Sequence, residues 1–458
     1  MSELAEIKRE KTSTRRKITY AMPRIGSSLV LGIEGFAFFN LYYSGYGVSA
    51  ILVTLAQAIG FIVIGISQFL IPWISDAKYT RLGRRKPYII ALTPLLGISF
   101  IFLFLPSYFV SDLDDKLAIF LWFLVWDILF KISYSMTSIY QAWLAEQFEI
   151  TERPVVSQFQ NIFNWIGNGT MVIATFLIIP SFVKGLQDYF DVNNTLNNSP
   201  VPTIFLLSIV IFGAIAIVLF LLIAFLMPTE PHYKIETKPW DNFKDVFKNR
   251  NYLNVILMIG ISSLAWSMIS DVMLTFTTDV LDLGGTDFYI VAAFLIIGIF
   301  IFLYIWRRLI SRKGKKQTLL YLFLFGVFFL LFTFIGFIQM GGLVLGIIFI
   351  IGIAGLLGGW GLFPYIIYAD VAEDDEKSTG ELKAGTYAGY PALILNIFQA
   401  FGVFVLGVAI DALPLIAVGD LTYSLGLIVW GPICSLILLI SYYFTKDKVR
   451  LDFDWEKK

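Results

Sequence analysis

The chain has 458 residues, of which 57% are hydrophobic and only 15% charged. A soluble protein carries about a quarter charged residues, so this composition, with a mean hydropathy of +0.76, excludes a soluble globular fold. Lys plus Arg and Asp plus Glu balance at 34 each, so no net basic charge marks a nucleic-acid binder.

Residues 1–17 are charged and lack a short apolar core ending in a cleavage signal, which predicts a cytoplasmic tail and not a signal peptide. Twelve apolar runs follow, at 18–43, 48–74, 87–110, 117–145, 155–181, 201–227, 251–281, 286–311, 316–340, 342–372, 384–410 and 421–445. A helix of roughly 20 apolar residues crosses a bilayer. The fold class expected is an all-α membrane protein of 12 transmembrane helices in two six-helix halves. The basic residues Lys8 to Lys17, Lys78 to Lys86, Arg153, Lys234 to Arg250, Arg307 to Lys316, Lys377, Lys383 and Lys446 all follow even-numbered runs or precede the first. The opposite connectors hold only Lys116 and Lys184. Positive residues stay inside, so both termini are expected in the cytoplasm of a cell-membrane protein, a monomer in its bilayer.

The longest inner connector divides the chain into an N-terminal bundle (18–227), a linker (228–250), a C-terminal bundle (251–445) and a tail (446–458). The linker segment Trp240 to Arg250 has interfacial helical spacing, and the long outer connector holds the sequon Asn193-Asn194-Thr195. A basic, glycine-centred turn recurs after the second run of each half: Arg81-Leu-Gly-Arg-Arg-Lys and Arg312-Lys-Gly-Lys-Lys. Six plus six spans with parallel repeats resembles the plan of major facilitator transporters.

Ionisable groups inside the spans cost roughly 2.5–3.5 kcal/mol on insertion scales, so each needs a reason. Glu34 in run 1 lies near mid-membrane and is a candidate proton carrier; the alternative is a buried carboxyl that fixes packing. Asp127 and Lys131 in run 4 are four apart on one face, continued by Tyr134, Ser138 and Gln141. They form either a pair that switches partners or a static intrahelical ion pair. Asp271 in run 7, between Trp266 and Thr275, is a cavity candidate, while Asp279 reads as a solvated end residue. In run 5, Gln158, Asn161, Asn164 and Asn168 share a face beside Trp165, which suits a polyhydroxylated ligand or, equally, interhelical hydrogen bonds. Trp360, Tyr365, Asn396 and Gln399 are weaker counterparts in the second half. The glycines of run 10 serve either bending or close packing. The acidic run Glu373 to Glu376 is expected as an inner connector that pairs with Arg84, Arg85 or Lys383, or stays solvated. One histidine, His232, and one cysteine, Cys434, leave no disulfide or Cys/His metal site, and neither metal nor cofactor is expected.

These motifs together resemble a family. Ala369-Asp370, Glu376, Thr379-Gly380, Lys383 and Gly385 resemble the signature after span 10 of the glycoside–pentoside–hexuronide cation symporters. Ser75-Asp76 with Leu82-Gly-Arg-Arg-Lys-Pro-Tyr resembles the turn of the sucrose-transporter-like branch, and so do Gly32-Ile-Glu34 and Gln141-Ala-Trp-Leu-Ala-Glu146, with Gln141 in place of arginine. Trp266, Thr278-Asp279 and Gly284-Gly285, then Leu395-Asn396 and Gln399, extend the likeness over nearly the whole chain. The sodium-binding aspartates of melibiose-type carriers fall at Ile64 and Gln68, so sodium coupling is not expected.

The resemblance implies proton-coupled symport of a sugar or glycoside by alternating access. Glu34, Asp127 and Lys131 are the coupling candidates, with Lys131 standing in for the missing arginine. Gln141, Asn161, Asn164, Trp165, Asn168, Trp266, Asp271, Asn396 and Gln399 are the substrate candidates. Asp76, Gly83, Arg84, Arg85, Lys86, Asp370, Glu376 and Lys383 would form the cytoplasmic gate. The rivals are an uncoupled facilitator, a transporter of another small polar solute, and a membrane receptor on this scaffold. No nucleotide loop, H-E-x-x-H or intramembrane histidine suggests an enzyme.

Overall fold

The computed structural model describes residues 12–149, 151–192, 203–229, 249–338, 342–379 and 384–453. Among them, eleven helices are long and apolar enough to cross a membrane. They are Thr14–Gly45 (span 1), Ala50–Asp76 (span 2), Lys116–Leu144 (span 4), Arg153–Gln187 (span 5), Thr203–Leu226 (span 6) and Arg250–Val280 (span 7). The rest are Thr286–Lys313 (span 8), Lys315–Phe337 (span 9), Leu343–Trp360 (span 10), Ala392–Ala412 (span 11) and Gly426–Lys448 (span 12). The apolar helix Lys86–Phe102 supplies span 3 with 17 residues. The fold is an all-α membrane bundle of twelve spans, with one short hairpin, Leu415–Val418 against Leu421–Ser424, before span 12.

Local chemistry sets the ends of these helices. Asp115 caps span 4 by accepting from the amides of Leu117 (3.1 Å) and Ala118 (3.0 Å). Asn249 caps span 7 through the Tyr252 amide at 3.1 Å. Outward faces are apolar: Ile62, Ile66, Leu70 and Trp73 form an exposed stripe on span 2 at helical spacing. Counting spans from Thr12 to Phe453 puts both described ends at one face of the bundle, called here the terminal face; the other is the far face.

The halves meet along three seams: span 2 with span 11, span 5 with span 8, and span 1 with span 7. The first is very close. A Cβ on Gly407 of span 11 would collide with Thr54 Oγ1 of span 2.

A structural repeat runs deeper than the basic turns. Spans 1 and 7 both end in a π-helical turn, Leu41–Gly45 and Phe276–Val280. Their closing bonds match: Tyr46 N to Leu41 O and Val48 N to Tyr42 O in one, Leu281 N to Phe276 O and Leu283 N to Thr277 O in the other. Spans 4 and 10 both break and resume, span 4 at Ser135 and span 10 after Trp360.

Two expectations need correction. Span 10 is not one run to 372, and the acidic residues 373–376 are no connector. They lie in a second helix, Phe363–Thr379, where Glu373 and Lys377 pair at 2.6 Å one turn apart. The linker from 230 to 248, with Trp240, and the sequon at 193–195 lie outside the described residues.

Candidate functional site

Three spans bring charge to one buried place, and a fourth, span 2, packs against it. Lys131 Nζ of span 4 lies 2.7 Å from Glu34 Oε2 of span 1 and 4.8 Å from the centroid of the Phe61 ring. Asp127, one turn from Lys131, is fully buried, and neither of its carboxylate oxygens has a hydrogen-bond partner. It packs on Gly60 of span 2, where a Cβ would collide with the carboxylate. Asp271 of span 7 accepts from Gln57 Nε2 of span 2 at 3.2 Å, a bond that crosses between the halves. Its other oxygen, Gln57 Oε1 and the indole nitrogen of Trp266 are buried without partners. Trp266 stacks on Trp360 at 5.0 Å between ring centroids.

Two features of this cluster matter chemically. Three carboxyls face one ammonium, so the cluster does not neutralise itself. Buried polar atoms without partners cost about 1–3 kcal/mol each, and five of them converge here. Four of these atoms are acceptors that want an O–H or N–H, and the fifth, the Trp266 indole N–H, wants an acceptor.

The far face is closed by a different set. Asn40 of span 1 donates to Thr275 Oγ1 (3.2 Å) and Thr278 Oγ1 (3.3 Å) of span 7. Ser44 donates to Asp279 Oδ2 at 3.0 Å. Asn40 with Thr275, and Ser44 with Asp279, are each separated by 235 residues. That is the offset between the two π turns, so equivalent residues of the two halves clasp one another about the axis relating them. Asp411 at the end of span 11 caps the start of span 2, accepting from the amides of Ala50 (3.1 Å) and Ile51 (2.7 Å). Asp279 is therefore no solvated end residue, because span 1 delivers a hydroxyl to it.

The sequence as a whole fits the family model described as MFS/sugar transport protein over residues 19–444. The chain belongs to that family. No curated protein matches it in sequence. Among solved structures, it resembles a D-xylose-proton symporter with a TM-score of 0.70, at 13% identity over 96% of this chain and 99% of that one. It also resembles a bacterial homolog of the human lysosomal transporter Spinster in an inward-facing, unoccupied conformation (TM-score 0.63, 14% identity, 95% and 97% covered). A third likeness is the nucleoside transporter NupG (TM-score 0.61, 12% identity, 94% and 98% covered). Membership makes this a multi-pass membrane transporter of a small molecule and not an enzyme.

In this MFS transporter the coupling candidates Glu34, Asp127 and Lys131 come together, with Asp271 beside them. The pairing differs from expectation. Lys131 bonds Glu34 across two spans, and Asp127 is left outside the pair, because the Glu34 oxygen lies within direct reach of the ammonium. The substrate candidates separate. Asn164 accepts from Ser28 of span 1, so its carbonyl is already used between helices. Asn168 is half-buried and Asn161 exposed. Trp165 packs on Phe300 of span 8 at 5.4 Å. Asn396 is buried and donates to its own helix at Ala392 O (2.7 Å); Gln399 is half-buried on the same span.

Two participants escaped the sequence reading. Gln141 lacks the guanidinium expected at its position. With its amide oriented to accept, it takes a bond from Arg24 Nε of span 1 at 3.0 Å. Arg24, which sits one residue past Pro23 inside the first apolar run, thus places a guanidinium beside Gln141. Gln57 is the other, a lone amide in the apolar run of span 2.

At the terminal face, Arg85 pairs with Asp76 (2.6 Å) and Glu146 (2.9 Å), and Arg84 with Glu146 (3.1 Å). Gly83 holds the turn at φ +95°, where a side chain would be strained. Lys86 is buried behind it. Asp370 pairs with Lys315 at 2.6 Å. Lys383 lies outside the described residues, and of Glu376 only its place in the helix is described.

Proposed function

We propose that this transporter is a proton-coupled symporter of a sugar or glycoside, of the glycoside–pentoside–hexuronide kind and its sucrose-transporter-like branch. The observation that carries this is the cluster of Glu34, Asp127, Lys131 and Asp271, joined across the halves by Gln57. Its two uncompensated carboxyls call for positive charge, and a proton is the smallest group that supplies it. The motifs of the turn after span 2 and of the helix after span 10 support the family branch, and the D-xylose-proton symporter offers a parallel with the same fold.

In this reading Glu34, Asp127 and Lys131 hold and release the proton. Trp266 and Asp271 are the first substrate contacts, because an indole N–H and a carboxylate oxygen stand unpaired beside a stacked aromatic face that suits a sugar ring. Gln141, Asn161, Asn164, Trp165, Asn168, Asn396 and Gln399 line the route, with Arg24 beside Gln141. The terminal face is cytoplasmic by its excess of Lys and Arg. The Asp76–Arg84–Arg85–Glu146 network and the Lys315–Asp370 pair steady that gate. The far-face bonds hold the outer gate shut, so the conformation described is closed outward.

Uptake of a panel of mono- and disaccharides into proteoliposomes, with and without an inward proton gradient, tests the reading. Accumulation of one sugar that collapses with a protonophore is expected. Uptake indifferent to the gradient would make the protein a facilitator. Uptake of a nucleoside in place of sugars would move the substrate class.

A further inference from the structure

Neither the cluster nor the gates use a basic cleft of about 480 Å³ at the terminal-face ends of spans 8, 9 and 12. Its walls are Lys313, Lys316, Gln317, Leu320, Tyr442, Lys446 and Asp452. Three lysines meet one aspartate there, and one oxygen of that aspartate is engaged by backbone. Asp452 Oδ1 accepts from the backbone amides of Lys315 (3.1 Å) and Lys316 (3.5 Å), so it caps the start of span 9. Lys316 Nζ donates to the Lys446 carbonyl at 2.9 Å, which ties the two walls together. Among the described residues, none of the three lysines is in an ion pair.

Exposed apolar residues lie on two of these helices, spans 9 and 12, next to the cleft. On span 12, Leu436, Ile440 and Tyr443 are exposed at helical spacing and lead up to Lys446. On span 9, Tyr321 and Phe328 are exposed below Gln317. Tyrosines at the boundary between apolar and basic surface mark the headgroup level. A second, smaller cleft of about 350 Å³ repeats the pattern on span 8, with Arg308 and Arg312 beside Tyr304 and Ile305. A lysine-rich helix end is ordinarily just a solvated surface; a walled cleft that continues an apolar face is not.

We propose that the span 9–span 12 cleft binds the phosphate of an anionic phospholipid from the leaflet at the terminal face. Lys313, Lys316 and Lys446 hold the headgroup while the acyl chains lie along Leu436 and Ile440. The inference needs only that the protein crosses the bilayer; it is independent of the sugar and the proton.

The test uses the full chain, with retained lipid counted by native mass spectrometry after reconstitution in mixed phosphatidylglycerol and phosphatidylcholine. Phosphatidylglycerol should be retained preferentially. Each lysine near a membrane surface contributes about fivefold in affinity, so Lys446→Gln should weaken retention about fivefold and Lys316→Gln/Lys446→Gln more than tenfold. Lys446→Arg should restore it, and Lys78→Gln, on the same face but outside the cleft, should change nothing. Equal retention of the two lipids would overturn the proposal, as would loss on Lys78→Gln equal to that on Lys446→Gln. Displacement of the lipid by millimolar inorganic phosphate would reassign the cleft to a soluble anion. Lys446→Gln leaves the Lys316 bond to a backbone carbonyl in place, so an unchanged melting temperature in phosphatidylcholine keeps the result readable.

Discussion

The far-face seal and the central cluster both join the two halves by polar contacts, and they are built in opposite ways. The seal is symmetric. Asn40 meets Thr275 and Ser44 meets Asp279, each with its counterpart in the other half, on backbones that make the same π turn. The cluster is lopsided. The N-terminal half gives Glu34, Asp127 and Lys131, the C-terminal half gives Asp271, and Gln57 bonds Asp271 between them. The neutral part of the clasp, Asn40 to Thr275 and Thr278, comes apart cheaply, since a neutral hydrogen bond nets about 0.5–1.5 kcal/mol. Under the proposed symport, a charge set placed mainly on one half is where proton and substrate would weigh on the balance between open and closed.

The largest effect is expected at the cluster. Glu34→Gln strips Lys131 of its partner at full burial, and breaking a buried pair costs about 3–5 kcal/mol. Gradient-driven accumulation should vanish and the melting temperature should drop. Glu34→Gln/Lys131→Met replaces the pair by neutral groups of similar size, which is often near neutral for stability. The double variant should therefore melt like the parent and still fail to accumulate. If it accumulates normally, the pair only packs, and the cluster becomes as passive as the seal.

The seal should respond more gently. Asp411→Asn keeps the shape but loses the charge at the start of span 2, and hydrogen bonds to charged groups contribute about 1.5–3 kcal/mol. The outward-open population should rise about tenfold or more. Thr54, fully buried beside Gly407, reports it: alkylation of Thr54→Cys should speed up by that factor. An unchanged rate would mean that Asp411 steadies span 2 without gating.

Legibility in the sequence followed the same division. The twelve spans stood out because each needs its own apolar run, and Glu34, Asp127, Lys131 and Asp271 stood out because charge inside such a run demands a reason. The seal did not. Asn40 and Thr275, or Ser44 and Asp279, share no residue type, and what relates them is a backbone turn that leaves no compositional trace. Arg24 lies inside the first apolar run, one residue past Pro23, yet was not weighed among the charges within the spans. The residues Glu373 to Glu376 were read as a connector for their charge, yet acidic residues followed by Lys377 at helical spacing support a helix.

A third contact, at the edge of the bundle, sharpens the contrast by its ordinariness. Glu152, in the turn before span 5, pairs with Lys17 at 2.8 Å and accepts from Thr12 N (2.9 Å) and Thr12 Oγ1 (2.7 Å). Burial works to raise its pKa, but the bonds from Lys17 and Thr12 prevail and hold the carboxyl below the usual range. A carboxyl lowered in the folded state stabilises above its unfolded pKa, about 4.3 for glutamate, and that contribution is lost as pH falls through the folded value. Glu152→Gln should thus lower the melting temperature slightly at pH 7, in line with the about 0–1 kcal/mol of a pair near the surface. The gap between variant and parent should shrink as the pH is taken down through the acidic range where the folded carboxyl takes up its proton. Should the gap stay constant there, the terminal segment is held by the Thr12 bonds and not by charge.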